Sequence, residues 1–188
     1  MLERLPWITQ ILLAVVALVA TYYDIRFRRI PNWLTLPGVA VGFVAGALLP
    51  VGNNSAWGGL ANAAIGFALA MLINFPLYRP LHARGAGDVK LMAAIGALIG
   101  WRDWIAIFLI SSLLGGLLAL VLMLGLGRVR KTLSNLGRIV VELFHLRSPA
   151  RLDEELDVTS PAGARLPQGA VIGLACFALL GLHALLPH

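Results

Sequence analysis

The sequence predicts an all-α polytopic membrane protein of about six transmembrane helices, with an amphipathic helix in the loop between the fifth and sixth. Three observations lead there. Hydrophobic residues fill 59% of the 188 positions and charged ones only 13%, against roughly 25% charge in a soluble domain. Apolar runs long enough for a helix to cross the hydrocarbon core recur along the chain. The basic residues gather in alternate loops, as they do when such runs cross and recross a membrane.

In order, the apolar segments are Trp7–Tyr23, Leu34–Pro50, Ala56–Leu77, Val89–Trp101, Trp104–Gly127 and Gln168–Leu186. The first lacks a basic n-region and no A-x-A-like site follows it, so it reads as a retained helix and not a cleaved signal peptide. The fourth is short: about 13 residues at 1.5 Å each reach only ~20 Å. It is kept as a crossing because the basic loop after the fifth segment would otherwise fall outside. Glycines at 38, 42 and 46, at 96 and 100, and at 169 and 173 recur every four residues, a spacing that lets helix backbones approach closely. The whole chain, 1–188, reads as one membrane-embedded domain.

Charge sets the orientation. Arg26, Arg28 and Arg29 follow the first segment, and Arg79, Arg84 and Lys90 the third. Arg128, Arg130, Lys131, Arg138, Arg147, Arg151 and Arg165 follow the fifth, so that of the 15 basic residues only Arg4 and Arg102 lie on the other face. The positive-inside rule places the three basic loops in the cytoplasm and both termini outside. In the loop 128–167, apolar residues at Val129, Leu133, Leu136, Val140 and Leu143 alternate with basic ones, which predicts a helix lying on the anionic leaflet. The stretch "DEELDVTSPAGARLP" that follows reads as a connector.

The net charge of +6 thus reports topology and does not point to nucleic acid. Cys176 is alone and lies in an apolar run, and no Cys or His cluster has the spacing of a metal site. Neither metal nor cofactor is expected. His82, His145, His183 and His188 receive no role.

Nine acidic residues can be sorted completely. Glu3 and Asp103 fall outside; Glu142, Asp153, Glu154, Glu155 and Asp157 belong to the long loop. Asp24, in "YYDIRFRRIPN", and Asp88, in "RGAGDVKL", remain, both at the cytoplasmic edge of apolar segments. Singly, each has a plain explanation: Asp88 as an N-cap with Gly85 and Gly87 forming the turn, and Asp24 as an i+4 partner of Arg28. Together they stand at one depth on one face. Two carboxylates held close cannot both ionise easily, so one can act as base towards water while the other donates a proton. Glycines beside Asp88 would let an extended substrate backbone approach. Ion-coupling carboxylates of a small transporter or proton-conducting protein would also stand in a membrane, and that alternative stays open.

The stretch "GAGDVK" at 85–90 resembles the G-x-G-D motif of membrane-embedded aspartic proteases, and "GDVKLMAAIGALIGW" resembles type IV prepilin peptidases in particular. "YYDIRFRRIPNWLT" is similar to the site of their first catalytic aspartate, and "RLPQGAVIGL" to the segment opening their last helix, with Gln168 where an aromatic residue would be expected. The resemblance implies that Asp24 and Asp88 are the catalytic pair. Gly85, Gly87, Lys90, Arg26, Pro31 and Asn32 would shape the site or meet the substrate. It implies cleavage of a prepilin or pseudopilin leader at the cytoplasmic face of a bacterial inner membrane, with the pilus-assembly machinery as a further partner. Larger members carry a cysteine-paired zinc domain and also N-methylate. This chain has no cysteine outside its apolar segments and opens at its first helix, so it resembles the short form of tight-adherence (Flp-type) pili, which cleaves without methylating.

Overall fold

The computed structural model describes residues 5–49, 55–78, 85–125 and 167–185. Every element among them is helical: α1 (Trp7–Phe27), α2 (Asn32–Leu48), α3 (Ala56–Tyr78), α4 (Ala86–Gly125) and α5 (Gln168–Leu185). α1, α5 and most of α3 and α4 are long and apolar enough to cross a membrane, while the apolar α2 is shorter, at 17 residues. The chain is a multi-pass membrane protein. The amphipathic helix expected within 128–167 lies outside the described residues.

Two boundaries differ from the expectation. α1 runs past Tyr23 to Phe27, because Asp24 continues its inward stripe of Thr9, Leu13, Ala17 and Ala20 instead of ending it. The helix stops only at Arg28, which takes a left-handed conformation (φ 52°) and returns its N–H to the Asp24 carbonyl at 2.9 Å. The fourth and fifth segments are not parted at Arg102 and Asp103. They form one element, α4, broken at Gly100 (φ 79°, ψ 177°), a backbone region that is essentially glycine's own. A charged pair can ride on a helix, so it marks no stop; the glycine does.

Contacts along the helices give their directions. α3 meets the first arm of α4 with Gly66 against Gly96 and Asn62 against Gly100, so the two run antiparallel. α2 lies parallel to that arm, with Gly38 against Ala94 and Gly42 against Ala97. α5 runs antiparallel to α1, with Gly169 on Asp24 and Gly173 on Thr21. It is also antiparallel to the second arm, with Val171 by Gly115 and His183 Nε2 3.7 Å from Asp103 Oδ1. At the break the chain turns back on itself, and Trp104 packs 3.2 Å from a Cβ placed at Gly96.

The first arm is the core. Every residue from Leu91 to Gly100 is buried, which accounts for its run of alanine and glycine and for its length. A helix enclosed by its neighbours need not match the bilayer's thickness. Outward faces carry the large apolar side chains: Trp7, Ile11, Val15, Leu18, Tyr22 and Ile25 form the exposed stripe of α1. Exposed Trp7 and Trp57 mark one end of the bundle, Tyr22, Phe27 and Trp33 the other, as aromatic side chains do at the two membrane–water interfaces.

Gly100→Ala puts a methyl group into the Asn62 amide as well as straining φ. It should cost about 1–3 kcal/mol from the backbone alone and lower the unfolding midpoint in detergent. Gly116→Ala, with open space around it, should stay within about 1 kcal/mol of the parent, on the stabilising side.

Candidate active site

The last turn of α1, the start of α2 and the first turns of α4 and α5 come together at one end of the bundle. Asp24 enters from α1 on its inward stripe and is only 8% exposed; Asp88, in the first turn of α4, is 9% exposed. A carboxyl group in such a place needs hydrogen-bond donors, and backbone supplies them in both cases. Ala170 N–H, in the first turn of α5, donates to Asp24 Oδ2 at 3.1 Å. Gly85 N–H donates to Asp88 Oδ2 at 3.2 Å, and the Asp88 N–H returns to the Gly85 carbonyl at 3.1 Å.

Both plain explanations are therefore altered. Asp88 is not the N-cap accepting from the turn ahead. It sits in the third helical position and reaches back to the capping residue, Gly85, in the geometry of a capping box. Asp24 takes the N–H of Ala170, while Arg28 serves as the C-cap of α1. Each acid faces the N-terminal end of a helix, whose dipole favours a negative charge there.

Ile30 fills the space between the two helix starts. Its Cβ lies 3.0 Å from a Cβ placed at Gly87, and its Cδ1 lies 3.0 Å from one placed at Gly169. The room that Gly87 leaves is thus used by Ile30 of the same chain, whereas the sequence suggested a substrate backbone there. Lys90 is exposed and its Nζ donates to Asn32 Oδ1 at 2.9 Å, tying the start of α4 to the start of α2. Pro31 caps α2, its carbonyl accepting from Leu34 and Thr35. Arg26 stands two positions past Asp24, about 200° round the helix, and is exposed; the fold does not bring it to the acids.

Three features of this end escaped the sequence reading. The α5 start contributes a backbone N–H, which no side-chain pattern reveals, and Gly169 had registered only as half of a packing pair. Ile30 belongs to the turn whose Pro31 and Asn32 the sequence singles out, but nothing in the string marks its side chain as the wedge. Asn74 is fully buried on α3, its Nδ2 donating to the Ala70 carbonyl at 2.8 Å. It lies two turns beyond Gly66, as Asp88 lies two turns before Gly96 on the antiparallel arm, so the two stand at the same level. Asn74, like Asn62 twelve positions earlier, is a polar residue in an otherwise apolar segment, and that was the available signal. Below the acids, an apolar groove of about 220 Å³ opens between α1, α2 and the first arm, lined by Leu12, Val16, Trp33, Pro37, Val41 and Ala94 among others.

Residues 11–120, a span that holds both acids, match the type IV leader peptidase family. The chain belongs to that family. Over 134 residues it is 28% identical to the prepilin leader peptidase/N-methyltransferase of Myxococcus xanthus, covering 68% of this chain and 39% of that protein. The protein of that name from Xanthomonas campestris pv. campestris is 34% identical over 115 residues, or 58% of this chain and 38% of its own length. The Bacillus subtilis one is 34% identical over 116 residues, or 62% and 44%. This leader peptidase family member thus spans less than half the length of the curated relatives it matches. No solved structure matches it.

If α4 begins against the α1–α2 turn as described, cysteines at Ile30 and Gly87 in a Cys176→Ala background should oxidise to a disulfide. Loss of maleimide labelling, restored by reductant, would report it. A pair at Ile30 and Gly116 should stay labelled.

Proposed function

We propose that this chain is an aspartic endopeptidase that removes the short basic leader of a prepilin or pseudopilin, with Asp24 and Asp88 as its catalytic pair. The observation that carries the reading is the burial of both acids at one end of the bundle, beside Ile30 and the starts of α4 and α5. Membership of the leader peptidase family and the names of its relatives support the substrate class.

In the reaction, the carboxylate of one acid takes a proton from water, whose oxygen adds to the scissile carbonyl carbon. The other acid, protonated, gives its proton to the carbonyl oxygen. Collapse of the tetrahedral intermediate breaks the C–N bond, and the leaving nitrogen receives a proton from the pair. The leader departs with a new carboxyl terminus and the pilin with a new amino terminus. Charge distribution supports a site facing the cytoplasm of a bacterial inner membrane, with both termini outside. The substrate's apolar helix then stays in the bilayer while its leader junction reaches the acids. Lys90, bonded to Asn32, steadies the α2 and α4 starts, and Gly85 keeps the capping turn clear, since a Cβ there would lie 3.3 Å from Asp88 Oδ2.

An ion-coupling role would need ionisable groups to continue a path through the bundle. Among the described residues the buried Asp and His side chains are Asp24 and Asp88 at one end and Asp103 and His183 at the other.

Co-expression with a prepilin from the same genome tests the reading through leader removal on a gel. Asp24→Asn and Asp88→Asn should each accumulate in the membrane and cleave at least 100-fold more slowly, on the order of the loss seen when a general acid or base is removed. Normal cleavage by either variant would remove that residue from the pair.

A further inference from the structure

We infer that the first turn of α5 is a positioning element for the proposed reaction, acting on Asp24 through the Ala170 N–H and through the missing side chain of Gly169. The inference rests on the catalytic reading of Asp24 given above.

The donor is available because of where it stands. The first N–H groups of a helix have no partner within it. In α5 the first to bond backwards is Val171, to the Pro167 carbonyl at 3.3 Å. Ala170, one residue earlier, gives its N–H to Asp24 Oδ2 instead. A carboxyl group is planar, so fixing Oδ2 on a fixed Cγ also fixes the direction of the other oxygen, the one left to meet water or substrate.

Gly169 makes that placement possible. A Cβ there would lie 3.0 Å from both Cβ and Cγ of Asp24, and 3.0 Å from Ile30 Cδ1. No side chain fits without moving the carboxyl group or the isoleucine wedge. Two further contacts hold α5 in register: Gly173 packs on Ala17 and Thr21, and His183 meets Asp103 at the far end. The direction of an acid on the first helix is thereby set by a helix 146 positions later.

The test is steady-state cleavage of a purified prepilin in detergent by wild type and four variants, with the unfolding midpoint of each as the check on folding. Ala170→Pro removes the N–H at a first-turn position, where proline does not break the helix. The preceding residue, a glycine, tolerates the restriction that proline imposes. Its kcat should fall about tenfold, the scale of a lost hydrogen bond to a charged group, with KM within twofold. Ala170→Ser keeps the N–H and should match wild type.

Gly169→Ala should likewise lower kcat about tenfold. Leu179→Ala, a cavity in the buried face of the same helix but more than two turns beyond Ala170, should lower the unfolding midpoint and leave kcat within twofold. That contrast decides the matter should Ala170→Pro fail to accumulate. Wild-type kcat in Ala170→Pro, or equal kcat in Gly169→Ala and Leu179→Ala, overturns the positioning role and leaves the peptidase reading standing. An inactive wild type overturns both.

Discussion

Backbone-to-backbone contact between α3 and the first arm of α4 is the constraint on which the arrangement depends. A Cβ at Gly66 would land on the carbonyl of Gly96, and one at Gly96 on the carbonyl of Gly66. Lipid tails are as apolar as leucine, so helices in a bilayer gain little from hiding apolar surface and associate by close packing instead. Two glycines facing each other allow the closest packing available. With α2 seated on the other side through Gly42 and Ala97, the arm is enclosed along its length, and Trp104 folds over its far end. The depth of Asp88 follows, because the residue begins an arm whose register against α2 and α3 is set by atoms that have no room to slide.

Enclosure also explains how a short helix can be the centre of a membrane protein. Span length matters for a segment exposed to lipid; one shielded by other helices meets the bilayer only at its ends. The outer helices carry the mismatch, turning leucine, valine and tryptophan outward. Burying two carboxyl groups in this setting is costly unless donors meet them. The donors are main-chain N–H groups at the starts of α4 and α5, not the arginines that follow Asp24. Arg26, Arg28 and Arg29 are all exposed at that end of the bundle. Each acid thus accepts a hydrogen bond from the main chain at a helix start.

Ile30 couples these parts. One aliphatic side chain packs against Gly87 beside Asp88 and against Gly169 beside Asp24, so the spacing of the two helix starts depends on the turn between α1 and α2. Tyr23 and Trp33, edge to face at 5.6 Å, brace that turn from outside, and the Lys90–Asn32 bond closes it from the α4 side. Small residues make the close approaches here and one branched residue keeps the gap.

The sequence by itself determined the class of protein, the existence of its apolar helices and the candidacy of both acids. Those follow from composition, from run length and from the rarity of charge within apolar stretches, properties that need no knowledge of which helix touches which. The G-x-G-D pattern and the segment around Asp24 also pointed to the family, through local residue order. Tertiary structure alone decided the rest. That α4 breaks at Gly100 and not at Arg102 depends on a backbone angle, forced by the fold-back and invisible in a string where glycine is common. That Asp24 answers to Ala170 depends on a main-chain donor, identical in every residue but proline until packing aims it. That Asn74 stands level with Asp88 depends on the register of two helices joined through a separate loop. Local physics writes the elements into the chain; the register between distant elements comes only from the shapes of their surfaces once they meet.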